Sequence, residues 1–197
     1  EYILLKSRDD IFVDYPTNIQ IDNEYVTFIL DTSLSVDEIW KNKLKAKTRN
    51  QIRKSKKNNF YIEFGQLELL DNFYHVISQC WRDLGTPVHS YYFFRQILDK
   101  FGDKVCIATA FDKELPISTA LLFNIDGVLS HPFAGTLKSY KPTSANNFLY
   151  WNIIKYACEN NINTFDMGRS RLNLGTYHFK KSWGGDEQKL FYYYFLG

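Results

Sequence analysis

Residues 166–185 read DMGRSRLNLGTYHFKKSWGG, and a short apolar run at 162–165 leads into them. An apolar run that ends on an aspartate and a glycine is typical of a buried strand whose tip reaches an open crevice. Beyond the loop, Tyr177 and Lys180 fall on one edge of a short helical pattern, while aromatic residues four apart occupy a neighbouring face. The stretch therefore predicts a strand, a polar loop, a short basic helix and a final buried strand at 190–196.

The residues alone leave two interpretations of this loop open. Asp166 and Arg169 fit a structural ion pair that holds the loop, and Lys180 fits a solvated helix lysine, as most lysines are. The same three side chains, gathered at a strand tip, also fit a reaction site.

The motif D-x-G-R-S at 166–170, followed by F-K-x-x-W-G at 179–184, resembles the C-terminal signature of the FemAB family. The resemblance is strongest to its FemAB-related, BioF2-like branch. Members of the family are acyltransferases built on the GNAT fold. The resemblance extends upstream of these motifs, so it doesn't depend on one of them.

The resemblance implies a reaction at this loop. An N-acyltransferase joins an amine to an activated ester or thioester carbonyl through a tetrahedral oxyanion, which needs positive charge or N–H donors beside it. Lys180 aligns with the lysine that does this work in the family. We expect Asp166 to accept the amine proton and Tyr177 to donate a proton to the leaving group. Arg169 is expected to order Asp166 or a phosphate.

The order of predicted elements from residue 60 onward agrees with the resemblance. Periodicity and turn signals predict a strand at 60–64, helices at 67–84 and 91–101, strands at 104–111, 115–125 and 128–134, and a helix at about 144–160. With the C-terminal unit, the order is β-α-α-β-β-β-α-β-α-β. This predicts an α/β protein with a mixed α+β sheet, the GNAT acyltransferase fold, as the second lobe of a FemAB-like protein.

The first thirty or so residues are expected to be added to one GNAT-like domain, as strands or as a flap from a neighbouring lobe. Two short β-rich runs precede residue 34, and turn signals at 15–18 lie between them. In the FemAB family two GNAT-like lobes follow each other, so the resemblance implies that 1–34 is the end of a preceding, truncated lobe. On this interpretation 35–59 is a basic linker helix and 60–197 is the GNAT-like acyltransferase domain. The start at Glu1 indicates a longer protein whose N-terminal lobe is missing.

The basic segment begins with a capping box, Ser35 to Glu38, which predicts one long helix. No acidic residue occurs between Glu38 and Glu63, while apolar residues recur every four positions and predict one buried stripe. A solvated lysine face is the ordinary explanation, but a run of one sign repels itself and favours an anionic partner. The expected anion-binding residues are Lys47, Arg49, Arg53 and Lys54.

The connection after the first domain helix is expected to cover the acceptor site, as in the GNAT plan. FemAB-like enzymes carry an arginine here that helps to hold the acceptor's phosphates, and Arg82 falls at the matching place. A helix-terminal arginine that complements the helix dipole is the alternative. Thr86 and Tyr92 are expected to line the same pocket, although helix tyrosines more often lie at the edge of a core.

The donor site departs from the usual pattern. GNAT enzymes that use acetyl-CoA bind its pyrophosphate with a Q/R-x-x-G-x-G/A loop, whose glycines free backbone N–H groups at a helix start. The matching residues 138–147 contain no glycine, and Asn146 is the expected substrate-binding residue. FemAB-type proteins share this departure, and the characterised ones take the acyl group from aminoacyl-tRNA. No cofactor is firmly implied, and the expected donor is aminoacyl-tRNA or acyl-CoA.

Composition limits the class of protein. The net charge is only +2, so attraction to tRNA or to another anion has to come from local clusters. No apolar run approaches the roughly 20 residues of a membrane span, and no signal peptide is present. The three cysteines are widely spaced and the four histidines lack ligand spacing. We therefore expect buried thiols in a reducing cytoplasm and no metal site.

The expected function is transfer of an acyl or aminoacyl group to an amine of a cell-envelope precursor, for peptidoglycan or another polysaccharide. A second class is a non-catalytic GNAT-like module that binds an anionic glycan or a lipid-linked precursor. Lys180 distinguishes the two, because only catalysis requires it. A nucleic-acid regulator is a weaker third class, because no helix-turn-helix or RNA-binding aromatic motif occurs.

Overall fold

The computed structural model describes residues 2–12 and 18–196. The predicted turn at 15–18 lies outside the described residues except for Asn18. Nine strands and six helices are numbered here in chain order. The strands are β1 Tyr2–Ser7, β2 Ile19–Asp31, β3 Tyr61–Gly65, β4 Val105–Asp112, β5 Leu115–Ile125, β6 Val128–Thr136, β7 Thr164–Asp166, β8 Ser170–Arg171 and β9 Asp186–Leu196. The helices are α1 Val36–Glu38, α2 Ala46–Ser55, α3 Leu70–Asp83, α4 Tyr91–Phe101, α5 Ala145–Glu159 and α6 Gly175–Lys181.

One mixed sheet holds the molecule together, which confirms the predicted fold class. Its strand order is β1-β9-β2-β7-β6-β5-β4-β3, and β8 pairs with β2 at the side. The β6–β7 pair is parallel, and the other pairs in the described part of the chain are antiparallel. From β3 onward the elements are β-α-α-β-β-β-α-β-α-β, with the two-residue β8 as an addition that the sequence did not predict.

Helices cover both faces of the sheet. Leu121 packs with residues of α3 and α4, such as Phe73 and Phe94. Its neighbour Leu122 packs with residues of α5, such as Ile153. Neighbouring strand residues point to opposite faces, so this alternation places α3 and α4 on one side and α5 on the other.

The N-terminal strands belong to the same sheet as the domain that was predicted at 60–197. Strand β2 lies between β7 and β9 and pairs antiparallel with both. Its residues Val26, Phe28 and Leu30 are buried in the cluster that also contains α5. Residues 19–31 therefore contribute a central strand to the sheet and complete its core.

The single long helix predicted after Ser35 is wrong. The capping box forms, and Val36–Glu38 continues into a π-helical turn, Ile39–Lys43. The backbone of Leu44 is then extended, with ψ 132°, and α2 starts anew at Ala46. Leu44 is buried, so the break turns an apolar side chain into the core.

The turn after α6, at residues 182–185, packs against this break. The Lys45 N–H donates to the carbonyl of Ser182 at 3.3 Å, and Thr48 Oγ1 donates to the same oxygen at 2.8 Å. A Cβ on Gly184 would lie 2.1 Å from the Lys43 carbonyl oxygen. The turn at residues 183–185 and the helix break thus pack backbone against backbone, and a side chain on Gly184 would not fit between them.

The last strand is longer and more exposed than predicted. Strand β9 starts at Asp186, and residues 186–189 are exposed. Further along, Tyr192 and Tyr193 are buried. Because β1 and β2 pair on its two sides, backbone hydrogen bonding fixes β9 even where its side chains face solvent.

Candidate active site

The parallel strands β6 and β7 separate after a short paired stretch. Their last paired residues are Ser130 and Asp166. Beyond them, β6 continues beside β5, while the chain after β7 crosses to β2, where the Met167 N–H donates to the Phe28 carbonyl at 3.0 Å. We call this opening, bordered by His131–Pro132 and Gly168–Arg169, the β6–β7 fork. The carboxyl ends of parallel strands in an α/β sheet are a common place for ligands.

A β-bulge shapes the β6 side of the fork. Leu121 pairs with Phe133 and Phe123 pairs with Ser130, so His131 and Pro132 lie opposite the single residue Leu122. A proline has no N–H to give to a ladder and is tolerated at a bulge. Bulges re-aim side chains and often lie beside active sites. The bulge therefore places the buried side chain of His131 beside the fork.

Lys180 reaches the other side of the fork from α6. Its side chain is buried, with 9% of the residue exposed, so it is not a solvated helix lysine. Nζ donates to the carbonyl oxygens of Gly168 at 2.9 Å and Arg169 at 3.0 Å. Burial lowers the pKa of Lys180 to about 8, with Asp166 opposing the shift and Arg169 adding to it. The fork thus contains a buried ammonium group that loses its proton as the pH rises through about 8.

Asp166 anchors the loop that starts at the tip of β7. One carboxylate oxygen accepts from Thr27 Oγ1 and from the Gly168 N–H at 2.8 Å. The other oxygen accepts from the guanidinium of Arg8. The predicted partner Arg169 is not the one that pairs with it among the described residues, because β1 brings Arg8 across β9 to this position. No local sequence pattern indicates an ion pair between residues so far apart.

Arg169 instead stacks on aromatic rings. Its guanidinium lies 4.8 Å from the ring centre of Tyr25 and 5.9 Å from that of Tyr192, and the two rings stack on each other. Cations over tyrosine faces are stabilised by the ring quadrupole. Next to this stack is an open pocket of about 280 Å³, which we call the side pocket. Its lining includes Lys6, Arg8, Asp166 and Arg169.

Tyr177 is buried, but its hydroxyl is already engaged. It donates to Glu187 at 2.8 Å and accepts from Lys181 Nζ at 2.8 Å. Its ring packs against Phe28 at 5.4 Å between centres. A role as proton donor to a leaving group would require this network to open, so the geometry favours a structural role.

Sequence analysis did not identify His131 and Tyr150 as candidate site residues. His131 Nε2 and the Tyr150 hydroxyl are 2.5 Å apart, and both residues are buried. Burial lowers the pKa of His131 to about 3, and the nearby charge of Lys180 contributes. A proline directly after a histidine inside a strand pattern was the available signal, because it indicates a bulge. Tyr150 had no signal beyond the apolar pattern of α5.

The residues expected to hold the acceptor lie at the α3–α4 connection. Arg82, Thr86 and Tyr92 are all exposed. The connection packs on the far half of β6, where the rings of Trp81 and Phe133 are 5.9 Å apart. No hydrogen bond joins Arg82 to Lys180 among the described residues. The structure therefore places these three exposed side chains on the rim beside the part of β6 that follows the bulge.

Side chains of α2 form hydrogen bonds with residues 138–144, the segment that occupies the place of a CoA-binding loop. Lys138–Thr143 is a 3₁₀-helix, and Lys54 Nζ donates to the Pro142 carbonyl at 2.7 Å. Ser144 Oγ donates to Gln51 at 2.5 Å. Asn146 follows on the first turn of α5 and is half-buried. The segment is thus tied to α2 by side chains.

Three of the four expected anion-binding residues make internal contacts. Arg49 donates to the carbonyls of Leu44 at 2.5 Å and Trp40 at 3.2 Å, so it caps the end of the π-helical turn. The guanidinium of Arg53 lies 5.3 Å from the ring centre of Trp40, and Lys54 holds Pro142. Lys47 is exposed and has no ion pair among residues 2–12 and 18–196.

Comparison with known proteins identifies the kind of domain. The model of a family described as an acetyltransferase (GNAT) domain matches residues 42–181, which is more than half of the chain. No curated protein sequence matches the chain significantly. In the described part of the chain, no helix is both long and apolar enough to span a membrane.

Solved structures share the fold. The crystal structure of FemX matches with a TM-score of 0.74 at 15% identity, over 85% of this chain and 61% of that chain. The C-terminal domain of a putative lysylphosphatidylglycerol synthetase from Agrobacterium fabrum matches with a TM-score of 0.71 at 11% identity, over 91% and 63%. The ribosomal-protein-S18-alanine N-acetyltransferase from Escherichia coli matches with a TM-score of 0.54 at 11% identity, over 70% and 95%. The chain thus spans less than two thirds of the first two structures.

Proposed function

Because the chain belongs to the acetyltransferase (GNAT) domain family, we propose that it is an N-acyltransferase in which Lys180 stabilises the oxyanion of a tetrahedral intermediate. The observation that carries this proposal is the buried ammonium at the β6–β7 fork. An ammonium has three donors, and two of them are used by the carbonyls of Gly168 and Arg169. The third has no partner among the described residues.

In the proposed reaction, the nitrogen of an amine attacks the carbonyl carbon of an ester or thioester donor. A carbon–nitrogen bond forms, and the carbonyl electron pair moves onto oxygen, where Lys180 stabilises it. The carbonyl then re-forms and the bond from its carbon to the ester oxygen or thioester sulfur breaks. The nitrogen releases one proton to solvent, and the leaving oxygen or sulfur takes up one proton from solvent and departs as the alcohol or thiol. A positive charge held at this oxygen in a site from which water is excluded lowers the barrier more than the same charge would in water.

Asp166 in this proposal anchors the loop and does not accept the amine proton. Its carboxylate oxygens already accept hydrogen bonds from Thr27, from the Gly168 N–H and from Arg8. The amine proton therefore passes to solvent.

The proposed donor is aminoacyl-tRNA, with acyl-CoA as the alternative. The segment Lys138–Thr143 has no glycine and is tied down by Lys54, so it departs from the glycine loop whose backbone N–H groups hold a pyrophosphate at a helix start. The exposed lysines around α2 suit a polyanion such as tRNA. The proposed acceptor is an amine on a cytoplasmic peptidoglycan or polysaccharide precursor. Arg82, Thr86 and Tyr92 on the rim are the proposed contacts for its anionic groups.

The test is a donor comparison with the full-length protein. The protein is incubated with a lysine-containing, nucleotide-linked peptidoglycan precursor and either radiolabelled aminoacyl-tRNA or radiolabelled acetyl-CoA, and label in the precursor is counted. We expect transfer from aminoacyl-tRNA that is lost in Lys180→Met. Transfer from neither donor, or transfer that survives the substitution, contradicts the proposal.

A non-catalytic binding module is the second candidate, and the side pocket favours it. Lys6, Arg8 and Arg169 bring three cations to this pocket, against the single carboxylate of Asp166, which suits an anionic glycan or lipid-linked precursor. In that case Lys180→Met leaves precursor binding intact and neither donor supports transfer, whereas charge reversal at Lys6 and Arg169 abolishes binding.

A further inference from the structure

A buried nitrogen at the β6–β7 fork lacks a partner. His131 Nδ1 is inaccessible to solvent and has no hydrogen-bond partner among the described residues. Leaving a buried polar group unpaired costs roughly 1–3 kcal/mol. Such groups are rare in folded proteins and call for an explanation. Beside a candidate active site, a polar atom of the substrate can supply the missing partner.

Hydrogen-bond satisfaction decides which ring nitrogen of His131 carries the proton. Burial raises the pKa of Tyr150 well above its usual value, so the phenol keeps its proton. If that proton is donated to Nε2, the only unmet group is the Nδ1–H. If Nε2–H donates to the tyrosine oxygen instead, both the phenol proton and the Nδ1 lone pair are unmet. The first arrangement leaves fewer unsatisfied groups, so Nδ1 carries the proton.

This Nδ1–H shares a space with the ammonium of Lys180. A methyl group placed on Gly168 would lie 3.8 Å from Lys180 Nζ and 4.0 Å from His131 Nδ1, which is ordinary contact distance. Both nitrogens therefore lie on the same side of Gly168, within van der Waals distance of one point beside its Cα. Each brings one donor without a partner among the described residues.

We propose that the Nδ1–H of His131, fixed by Tyr150, is the second hydrogen-bond donor to the oxyanion, opposite the ammonium of Lys180. His131 gives no proton away in this step. When the amine attacks and the carbonyl electron pair moves onto oxygen, that oxygen receives one hydrogen bond from each residue. Both bonds are released when the carbonyl re-forms and the alcohol or thiol leaves. The inference rests on the proposed acyl transfer.

The electrostatics of the fork suit a neutral donor. Burial and the charge of Lys180 keep the pKa of His131 far below neutral, so the imidazole stays uncharged over the physiological pH range. A neutral imidazole donates to a developing oxyanion without adding a second positive charge next to the ammonium. The ring packs edge-on against Phe165 at 5.2 Å and Tyr150 at 5.0 Å between centres, which fixes its orientation.

The tautomer is measured first, because it needs no substrate. Nitrogen NMR of protein labelled with ¹⁵N-histidine reports which ring nitrogen is protonated, and the signals missing in His131→Phe assign the residue. We expect Nδ1 protonated and Nε2 unprotonated, with this preference lost in Tyr150→Phe. A proton on Nε2 in the wild-type protein overturns the proposal.

Kinetics of three substitutions then separate donation from packing. The amide nitrogen of His131→Asn reaches the place of Nδ1, whereas that of His131→Gln reaches the place of Nε2. Removing one oxyanion donor lowers kcat by about a hundredfold or more. We expect that loss in His131→Phe and His131→Gln at nearly unchanged KM, and a clearly smaller loss in His131→Asn. Activity preserved by Gln and lost in Asn, or wild-type kcat in Phe, overturns the proposal.

Lys180→Met, assayed in parallel, distinguishes a failure of the proposed acyl transfer from a failure of the proposed role of His131. If it keeps wild-type turnover, acyl transfer at this site is wrong. If it loses turnover while His131→Phe does not, only the role of His131 is wrong. Thermal unfolding of each variant shows whether a loss of activity reflects a loss of fold.

Discussion

Lys180 Nζ lies 2.9 Å from the carbonyl oxygen of Gly168 and donates a hydrogen bond to it. The second bond of this ammonium goes to the Arg169 carbonyl. No ion pair with a carboxylate is formed by Lys180 within the described part of the chain. Two backbone carbonyls therefore orient the ammonium of Lys180 at the fork, and no carboxylate forms an ion pair with it in the described part of the chain.

Turnover is expected to fall as pH rises through about 8. Burial lowers the pKa of Lys180 to about 8, so the ammonium loses its proton there and no longer stabilises an oxyanion. The pH profile of kcat for the wild-type protein measures this. The residual activity of Lys180→Arg should lack this basic limb, because a guanidinium keeps its charge. The same limb in both proteins would assign it to another group.

Stability has the opposite pH dependence. The pKa of Lys180 is lower in the folded state than the ordinary lysine value of 10.5, so the unfolded chain binds more protons between about pH 8 and pH 10.5. The contribution of Lys180 to stability therefore rises with pH across that window. Urea unfolding of the wild type and of Lys180→Met at pH 7 and pH 10 should show the wild type gaining relative to the variant. A constant difference would contradict the lowered pKa.

Asp166 is expected to act through the loop and not through proton transfer. Asp166→Asn keeps an oxygen for Thr27 and for the Gly168 N–H, so it should retain most of the turnover. Asp166→Ala leaves these donors unpaired and should lower the unfolding free energy by roughly 1–3 kcal/mol. Urea unfolding and kcat are measured for both. A collapse of kcat in Asp166→Asn without a change in stability would restore the proton-acceptor role.

The basic segment is expected to divide into structural and anion-binding residues. Arg49→Met removes donors to the carbonyls of Trp40 and Leu44 and should destabilise the fold by roughly 1–3 kcal/mol. Lys47 is exposed, so Lys47→Met should leave stability unchanged and reduce the salt dependence of binding to total tRNA. Urea unfolding and binding at two salt concentrations measure these. Equal effects of the two substitutions on stability would contradict this division.

Gly184 is expected to be required by backbone contact. Its φ is +77°, and a Cβ there would lie 2.1 Å from the Lys43 carbonyl oxygen. Gly184→Ala should therefore lower the unfolding free energy by at least about 2 kcal/mol. Gly175→Ala is the matched control, because nothing lies within 4 Å of its Cβ position. Similar stability of the two variants in urea would show that the turn adapts.

The sequence predicted the elements whose signals are local. Helix α4 has the predicted bounds and so does β5, because a run of one periodicity between turn residues defines each of them. The strand that ends at Asp166 was also predicted from neighbouring residues, whereas the choice of Lys180 came from the family resemblance. A local sequence pattern is sufficient to predict an element whose structure is determined by its own residues.

What the sequence could not show depends on contacts between distant segments. The insertion of β2 between β7 and β9, the pairing of Arg8 with Asp166 and the helix break that fits Gly184 all join residues far apart in the chain. The role of His131 depends on a bulge and on Tyr150 in another element. None of these follows from periodicity, because periodicity does not specify which segments meet.

The most direct test of the account is the turnover of Lys180→Met in the full-length protein, with aminoacyl-tRNA and the nucleotide-linked precursor as substrates. Methionine keeps much of the buried length and removes the charge. We expect kcat to fall by about a hundredfold or more while both KM values stay within about twofold, because the oxyanion exists only in the transition state. Wild-type kcat in a folded Lys180→Met protein would contradict the assignment of this site.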